Sequence, residues 1–354
     1  MISGRMARPI AQESTFGNYR LGRRLARGGM AEVFRAEQHL ASGVTRPVVI
    51  KRVLPSFASD PGFIEMFRNE AQIGLGLSHG NIVSIYDFGE VNGEHYLAME
   101  YVNGVSLAQV LDRLARRGRL LSPVFVAFIV QEMCKGLYYA HTRTDEQGRP
   151  LNLVHRDISP QNVLISYEGQ VKLTDFGIAK AYGLDERMAG RTHTASGVIK
   201  GKFSYFSPEQ ARGKPLDGQS DLFATGVLLY EALTGRLPFG NEYFQTLARL
   251  LRDECSRPSS INPALDAEIE QVVQKAKTVN KADRYATALE LQVALSRYLA
   301  TRAPDFHPQR LTQVLRHLFA PELRELGERV EASAEVAREL DSWPAAPGDP
   351  DETP

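Results

Sequence analysis

From Tyr19 the chain alternates apolar and polar positions with a period of two, punctuated by short turns. The stretches "YRLGRRLA" (19–26), "AEVFRAEQ" (31–38) and "RPVVIKRV" (46–53) therefore predict three strands. The period changes in "PGFIEMFRNEAQIGLGL" (61–77), where apolar residues recur at helical spacing, and returns to strand in "IVSIYDFGE" (82–90) and "EHYLAMEYV" (94–102). Residues up to about Val102 read as a small β-rich lobe with one helix. The first 18 residues are polar and irregular and predict no element.

Beyond Val102 the helical period dominates. In "SPVFVAFIVQEMCKGLYYAH" (122–141) Ser122 is placed as an N-cap and Pro123 at the first helical position. The turn-rich "TRTDEQGRP" follows, and then "NVLIS" and "QVKLT", two short strands joined by "YEG" as in a hairpin. Helical patterns recur near 218–236, 241–253, 264–278 and 286–300. After about Arg302, "LTQVLRHLF" puts Leu311, Val314, Leu315, Leu318 and Phe319 on one helical face. A charged helical stretch is expected to about Leu340, before "WPAAPGDPDETP", which has the composition of a linker. No internal repeat is visible.

Composition narrows the function classes. Across 354 residues, 42 Lys and Arg balance 42 Asp and Glu. That balance gives no electrostatic reason to expect nucleic acid or an anionic membrane as partner. The run Arg113, Arg116, Arg117 and Arg119 reads as a solvated helix end. Two cysteines, Cys134 and Cys255, cannot build a disulfide framework and lack metal-ligand spacing; Cys134 sits in an apolar helical run and reads as core. No secretory signal or span-length apolar stretch is present in these residues, so the expectation is a cytoplasmic chain.

The chemistry concentrates in a few stretches. "RLARGGMAEVF" lies between two strands, where Gly28 and Gly29 let backbone N–H groups approach phosphate oxygens. "VVIK" ends a buried strand on Lys51, which needs an anionic partner; Glu70, in "FRNEAQI" on the following helix, is placed to supply it. In "HRDISPQN", Asp157 can accept the proton of an attacking hydroxyl, and Asn162 offers a neutral oxygen to a hard divalent cation. "LTDFGIAK" brings Asp175 beside Asn162 across the hairpin. Glu209, in "SYFSPEQ", and Arg284, in "KADRYATALEL", are expected to form a buried ion pair, and Asp221 to cap the backbone of the catalytic loop.

Six motifs in this order resemble those of the eukaryotic-type protein kinases, over about Tyr19 to Leu299. The wording "GGMAEVF", "SPQN" and "SPEQ" is similar to the bacterial serine/threonine branch. The resemblance implies an α+β, bilobal fold with a β-rich N-lobe (about 19–102) and a helical C-lobe (about 103–300). Residues 1–18 would flank it as a flexible segment and residues 301–354 as a helical extension. It implies ATP and Mg²⁺, with ATP at the cleft and protein Ser/Thr hydroxyls as acceptors. Lys51 and Glu70 would serve the α- and β-phosphates, Asp157 the hydroxyl, and Asn162 and Asp175 the metal. The stretch Leu25, Ala26, Arg27, Gly28, Gly29, Met30, Ala31, Glu32 and Val33 would cover the nucleotide, Val33 pressing on the purine. Met99 would be the gatekeeper, with the backbone of Glu100 and Val102 reading adenine. Two departures stand out in the loop: Ala26 and Ala31 replace the outer glycines of the family pattern.

A third departure lies in the catalytic stretch. Serine/threonine kinases of this type carry a lysine two residues after the catalytic aspartate; here Ser159 stands there. Lys202, in "KGKFSYF", occupies a position where such kinases carry threonine. A swap is expected: the Lys202 ammonium reaches Asp157 and the γ-phosphate, and Ser159 hydrogen-bonds to it. Arg156 is placed to pair with a phosphate on the activation segment, whose candidates are Thr192, Thr194 and Ser196, with autophosphorylation expected at Thr192 or Thr194. The alternatives are a pseudokinase scaffold, a small-molecule phosphotransferase and a tyrosine kinase. For the segment after 306, docking on the helical lobe and service as a homodimer or regulatory-partner surface are both open.

Overall fold

The computed structural model describes residues 14–41, 43–58, 60–176, 202–330 and 333–348. The chain divides into two compact units, the first made of the residues up to Ser78 with Ser84–Tyr101, the second of His79–Val83 and everything from Val102 onward.

The first unit is an antiparallel sheet of six strands with a helix beside it. Its strands are β1 (Ser14–Phe16), β2 (Tyr19–Arg27), β3 (Ala31–His39), β4 (Thr45–Val53), β5 (Ile85–Val91) and β6 (Glu94–Glu100), in the spatial order β1-β2-β3-β4-β6-β5. The two helices between β4 and β5 are α1 (Pro55–Ala58) and α2 (Pro61–Leu75). Alternation sets the register: Val48 and Ile50 point into the core with Tyr19, Leu21 and Tyr96. β1 corrects the expectation that residues up to 18 are irregular. Phe16 is buried and meets Tyr96 edge-to-face at 5.5 Å, which draws Ser14–Phe16 onto the sheet edge. Helix α2 starts where the Asp60 side chain accepts hydrogen bonds from the N–H groups of Gly62 and Phe63, with Pro61 at the first helical position. Its buried residues Phe63, Met66, Phe67 and Glu70 follow the helical repeat, so Glu70 shares the face that the apolar residues bury.

In the second unit, β7 (Gly104–Ser106), β8 (Val163–Ser166) and β9 (Val171–Leu173) form a three-stranded antiparallel sheet. Helix α3 (Leu107–Ala115) opens with a capping box between Ser106 and Gln109. Helix α4 (Pro123–His141) is apolar on most of its surface and buried accordingly. Ser122 holds its N-cap position but makes no side-chain capping bond there, so the cap expected from the sequence is positional only. His79–Val83 belongs with this unit because Asn81 bonds Glu132 at 3.0 Å and the Val171 carbonyl at 2.9 Å, and Val83 N–H donates to Leu173. Gly136 permits that approach: a Cβ there would stand 2.9 Å from the Asn81 carbonyl oxygen.

Among the described residues, six further helices follow up to Arg302: α5 (Pro208–Ala211), α6 (Gly218–Thr234), α7 (Tyr243–Leu251), α8 (Pro258–Ile261), α9 (Ala267–Ala276) and α10 (Ala288–Arg302). Helix α6 is buried along almost its whole length and forms the axis of this unit, ending at Gly235 with φ 68°.

The C-terminal residues are tied to this unit. Helix α11 (Pro308–Leu318) buries Leu311, Val314, Leu315 and Leu318, the face read from the sequence. The expected helix to Leu340 is instead two short ones, α12 (Ala320–Glu325) and α13 (Ala334–Ser342), because the chain turns at Gly327 with φ 84°. The tail is not a free linker as far as it is described. Trp343 is buried 5.0 Å from Phe125, Leu120 N–H donates to Pro344 at 2.8 Å, and Ala346 N–H donates to Gly118 at 2.9 Å. The arginine run is a solvated helix end only at Arg116 and Arg117, which are exposed; its two outer members are not. Arg113 donates to Leu318 O and Glu322 and lies over the Phe319 ring, while Arg119 donates to Trp343 O. Replacing Arg113 by Ala should lower stability by about 1–2 kcal/mol, read as a shifted urea midpoint at constant m-value. No shift would show that the extension docks by its apolar face alone.

Candidate active site

Candidate site residues lie in each of the two units, and each set has its own geometry. In the first unit, β3 and β4 are in register with Val33 opposite Lys51, and Lys51 opposite Leu97 on β6. Lys51 leaves the strand toward α2 and meets Glu70, Nζ to Oε1 at 3.4 Å, both side chains largely shielded from water. The expected pairing is made. The turn joining β2 and β3 is closed by Gly28 N–H donating to Ala31 at 2.8 Å, and Leu25, Ala26, Arg27, Gly28 and Gly29 are exposed there. Met30 and Ala31 are half-buried, and the Met30 carbonyl accepts from Leu54 N–H at 2.9 Å. Met99 is buried on β6. Glu100 N–H donates to Ser84 O at 2.9 Å, so that donor is already committed within the unit.

Glu32, placed by the sequence in the nucleotide-covering stretch, turns its side chain to neighbouring arginines. Its carboxylate is buried and engages Arg24 at 2.8 Å and Arg52 at 3.2 Å, with Arg27 at 3.7 Å. Burial would raise its pKa, but the hydrogen bonds from Arg52 and Arg24 hold the carboxyl below the usual range. Its side chain thus braces the base of the turn.

In the second unit the catalytic loop hangs from one carboxylate. Asp221, on the first turn of α6, accepts from the N–H groups of His155 and Arg156, each at 2.8 Å, and lies 2.8 Å from His141 Nε2. Burial alone would lift the Asp221 pKa; the His141 hydrogen bond and the neighbouring donors hold it below the ordinary aspartate value. His155 is fully buried, and burial pushes its imidazole below the ordinary histidine range despite nearby carboxylates. A neutral ring has one N–H: Nε2 donates to Thr174 O at 3.1 Å, leaving Nδ1 to accept from Asp157 N–H at 3.3 Å. Arg156 adopts φ 66°, outside the usual region for a side-chain-bearing residue, which the paired Asp221 bonds hold in place.

Asn162 then fixes the Asp157 carboxylate. Its Nδ2 donates to Asp157 O at 2.7 Å and to Asp157 Oδ2 at 3.0 Å. Its carbonyl accepts from Thr174 N–H at 3.0 Å, which sets Asp175, at φ 55°, next in line. With the amide nitrogen committed to Asp157, the Asn162 amide oxygen is directed away from it. That oxygen and the Asp175 carboxylate are donors of the kind a hard divalent cation takes. Among the described residues no three His, Cys, Asp or Glu gather as a metal cage.

Further along, Glu209 and Arg284 form the expected buried pair at 2.9 Å, with Ser220 donating to Glu209 at 2.7 Å. Two residues escaped the sequence reading. Gln210 bonds Arg156 O at 3.1 Å and closes a capping box with Ser207; the S-x-x-Q spacing in "SPEQ" was the available signal. Tyr205 donates to Glu231 at 2.5 Å in the interior, a pair that no spacing rule connects.

Ser159 is buried, and its hydroxyl has no hydrogen-bond partner among the described residues. The bond to an ammonium expected from the sequence is therefore not made by any of them. The Lys202 side chain lies outside the described residues, as do Thr192, Thr194 and Ser196. The Arg156 guanidinium has no ion-pair partner among the described residues.

These features define a protein kinase: residues 19–297 match the protein kinase domain family, and the chain belongs to it. It is 46% identical over 287 residues to the tyrosine-protein kinase MasK of Myxococcus xanthus, covering 80% of this chain and 43% of MasK. It is 36% identical over 277 residues to the serine/threonine-protein kinase PrkC of Bacillus subtilis, covering 78% of this chain and 40% of PrkC. The chain thus spans less than half the length of these relatives. The solved kinase domain of PknI from Mycobacterium tuberculosis superposes with a TM-score of 0.60 at 26% identity, over 82% of this chain and 99% of that one. Among the described residues no helix is long and apolar enough to cross a membrane.

Proposed function

We propose that this chain is an active protein kinase that moves the γ-phosphate of ATP to serine and threonine hydroxyls of protein substrates. The observation that carries the reading is the Asn162 amide bonded to Asp157 Oδ2 at 3.0 Å, in a loop pinned by Asp221. A scaffold that merely borrowed the fold would have no use for a carboxylate so firmly oriented.

In this reading Asp157 accepts the hydrogen bond, and then the proton, of the acceptor hydroxyl. Lys51, held by Glu70, binds the α- and β-phosphate oxygens. The turn from Leu25 to Val33 covers the nucleotide, while Met99 and the backbone of Glu100 and Val102 receive adenine. Asn162 and Asp175 would hold Mg²⁺, which supplies neutralisation of the phosphate charge when bound. Arg156 would pair with a phosphate on Thr192, Thr194 or Ser196. The partnerless Ser159 hydroxyl suits an active-site loop that awaits a polar ligand, since an unanswered buried hydroxyl otherwise costs about 1–3 kcal/mol.

Lys202 is the proposed extra cation near the γ-phosphate. Lys202→Met should lower turnover at least tenfold with little change in Km for ATP. Turnover within a few-fold of normal would remove Lys202 from the mechanism.

A tyrosine acceptor is the second reading. The 46% identity to a protein named as a tyrosine kinase favours it, as does the serine at position 159. Acid hydrolysis of protein labelled from γ-labelled ATP, followed by phosphoamino-acid separation, decides between them. Phosphoserine and phosphothreonine are expected; label confined to phosphotyrosine would overturn the first reading in favour of the second.

A further inference from the structure

Away from the candidate active site, a nucleophilic pair is built into the interior of the second unit. Cys255 lies half-buried in the connection between α7 and α8. Lys277 caps the C-terminal end of α9 and is 2% exposed. Its ammonium stands 2.7 Å from Cys255 Sγ, and among the described residues that sulfur is the ammonium's sole hydrogen-bond partner. The rings of Tyr230 and Phe239 lie 6.0 Å and 5.9 Å away and supply the apolar surround.

A buried ammonium is normally answered by a carboxylate or by several carbonyls. Here a thiol takes that place. A separation of 2.7 Å is ordinary for an oxygen acceptor but close for the larger sulfur atom. The backbone that carries Lys277 is itself packed closely against α6. Gly226 of α6 lies so near that a Cβ on it would stand 2.6 Å from Lys277 N and 2.7 Å from the Ala276 carbonyl carbon.

We propose that Cys255 and Lys277 form an oxidation site that hydrogen peroxide converts to a covalent sulfur–nitrogen cross-link. In the first step the sulfur attacks peroxide: an S–O bond forms, the O–O bond breaks, and water leaves, giving the sulfenic acid. The neighbouring cation stabilises negative charge on the sulfur as it attacks. Lys277 then releases its proton to water, and its lone pair attacks the sulfur. The S–N bond forms, the S–O bond breaks, and the departing hydroxide takes up a proton as a second water. Thiol, ammonium and one peroxide give a sulfenamide, two waters and a proton; sulfur loses the two electrons that peroxide gains. The link joins residues 22 apart and closes a loop across α8 and α9.

The test treats the full chain with hydrogen peroxide and maps tryptic peptides. The expected product joins the Cys255 peptide to a Lys277 peptide left uncleaved at that lysine, about 2 Da lighter than the two together. Dithiothreitol should release both, and the linked protein should melt a few degrees higher. Cys255→Ser and Lys277→Arg should each abolish the link; the wild-type peptide map stands alone if the arginine variant fails to fold. Cys255 recovered as a free thiol, or as sulfinic or sulfonic acid with trypsin still cutting after Lys277, overturns the proposal.

Discussion

Asp157→Asn should lower the rate of phosphoryl transfer by about 10²–10⁴-fold, the range a lost general base commands. The substitution keeps the side chain's size and its capacity to accept from Asn162 Nδ2 through an amide oxygen, so the loop should stay in place. Its suspension from Asp221 runs through His155 and Arg156 and does not involve the Asp157 carboxylate. Nucleotide affinity and melting temperature should accordingly stay near those of the parent chain. A fall in kcat with an unchanged Km for ATP is the signature of a group that acts in the transition state. If transfer persists within a few-fold, Asp157 is not the group that handles the hydroxyl.

Arg284→Ala should destabilise the second unit by about 3–5 kcal/mol, because it strands a buried charge. Arg284 donates to Glu209 at 2.9 Å and also holds the carbonyls of Gln219, at 2.6 Å, and Thr278, at 3.1 Å. In the parent chain burial acts to raise the Glu209 pKa, but the hydrogen bonds from Arg284 and Ser220 win and hold it below the ordinary value. A depressed folded-state pKa means the pair's contribution is complete above the unfolded carboxylate pKa of about 4.3, and is lost as pH falls through the folded value. Removing Arg284 leaves burial to act unopposed. The deficit should be largest near neutral pH and shrink in acid, where Glu209 can take up a proton. Urea unfolding of both proteins at several pH values measures this, and a deficit independent of pH would contradict the account.

The placement of Asp157, Asn162 and Asp175 was legible because their spacing is dictated by local chain geometry. An aspartate and an asparagine five residues apart meet across one tight turn, and the hairpin of β8 and β9 carries Asp175 to the same place. Lys51 and Glu70 were legible for another reason: a charge ending a buried strand must find a counter-charge on the element that covers it. What escaped was set by long-range packing. The Tyr205–Glu231 bond and the Cys255–Lys277 contact join elements whose approach no periodicity announces. The tail misled through composition: "WPAAPG" reads as linker, yet proline-rich backbone still offers carbonyls, and those of Trp343 and Pro344 accept from Arg119 and Leu120. The partners of Glu32 were not legible from its position, because arginines of two different strands converge on it.

The most direct measurement incubates the purified chain with γ-labelled ATP, Mg²⁺ and a generic protein acceptor, beside Asp157→Asn and Lys51→Met. Label should enter protein with the parent chain and fall by orders of magnitude with either variant. Tight nucleotide binding without any transfer would instead make this chain a scaffold of kinase shape.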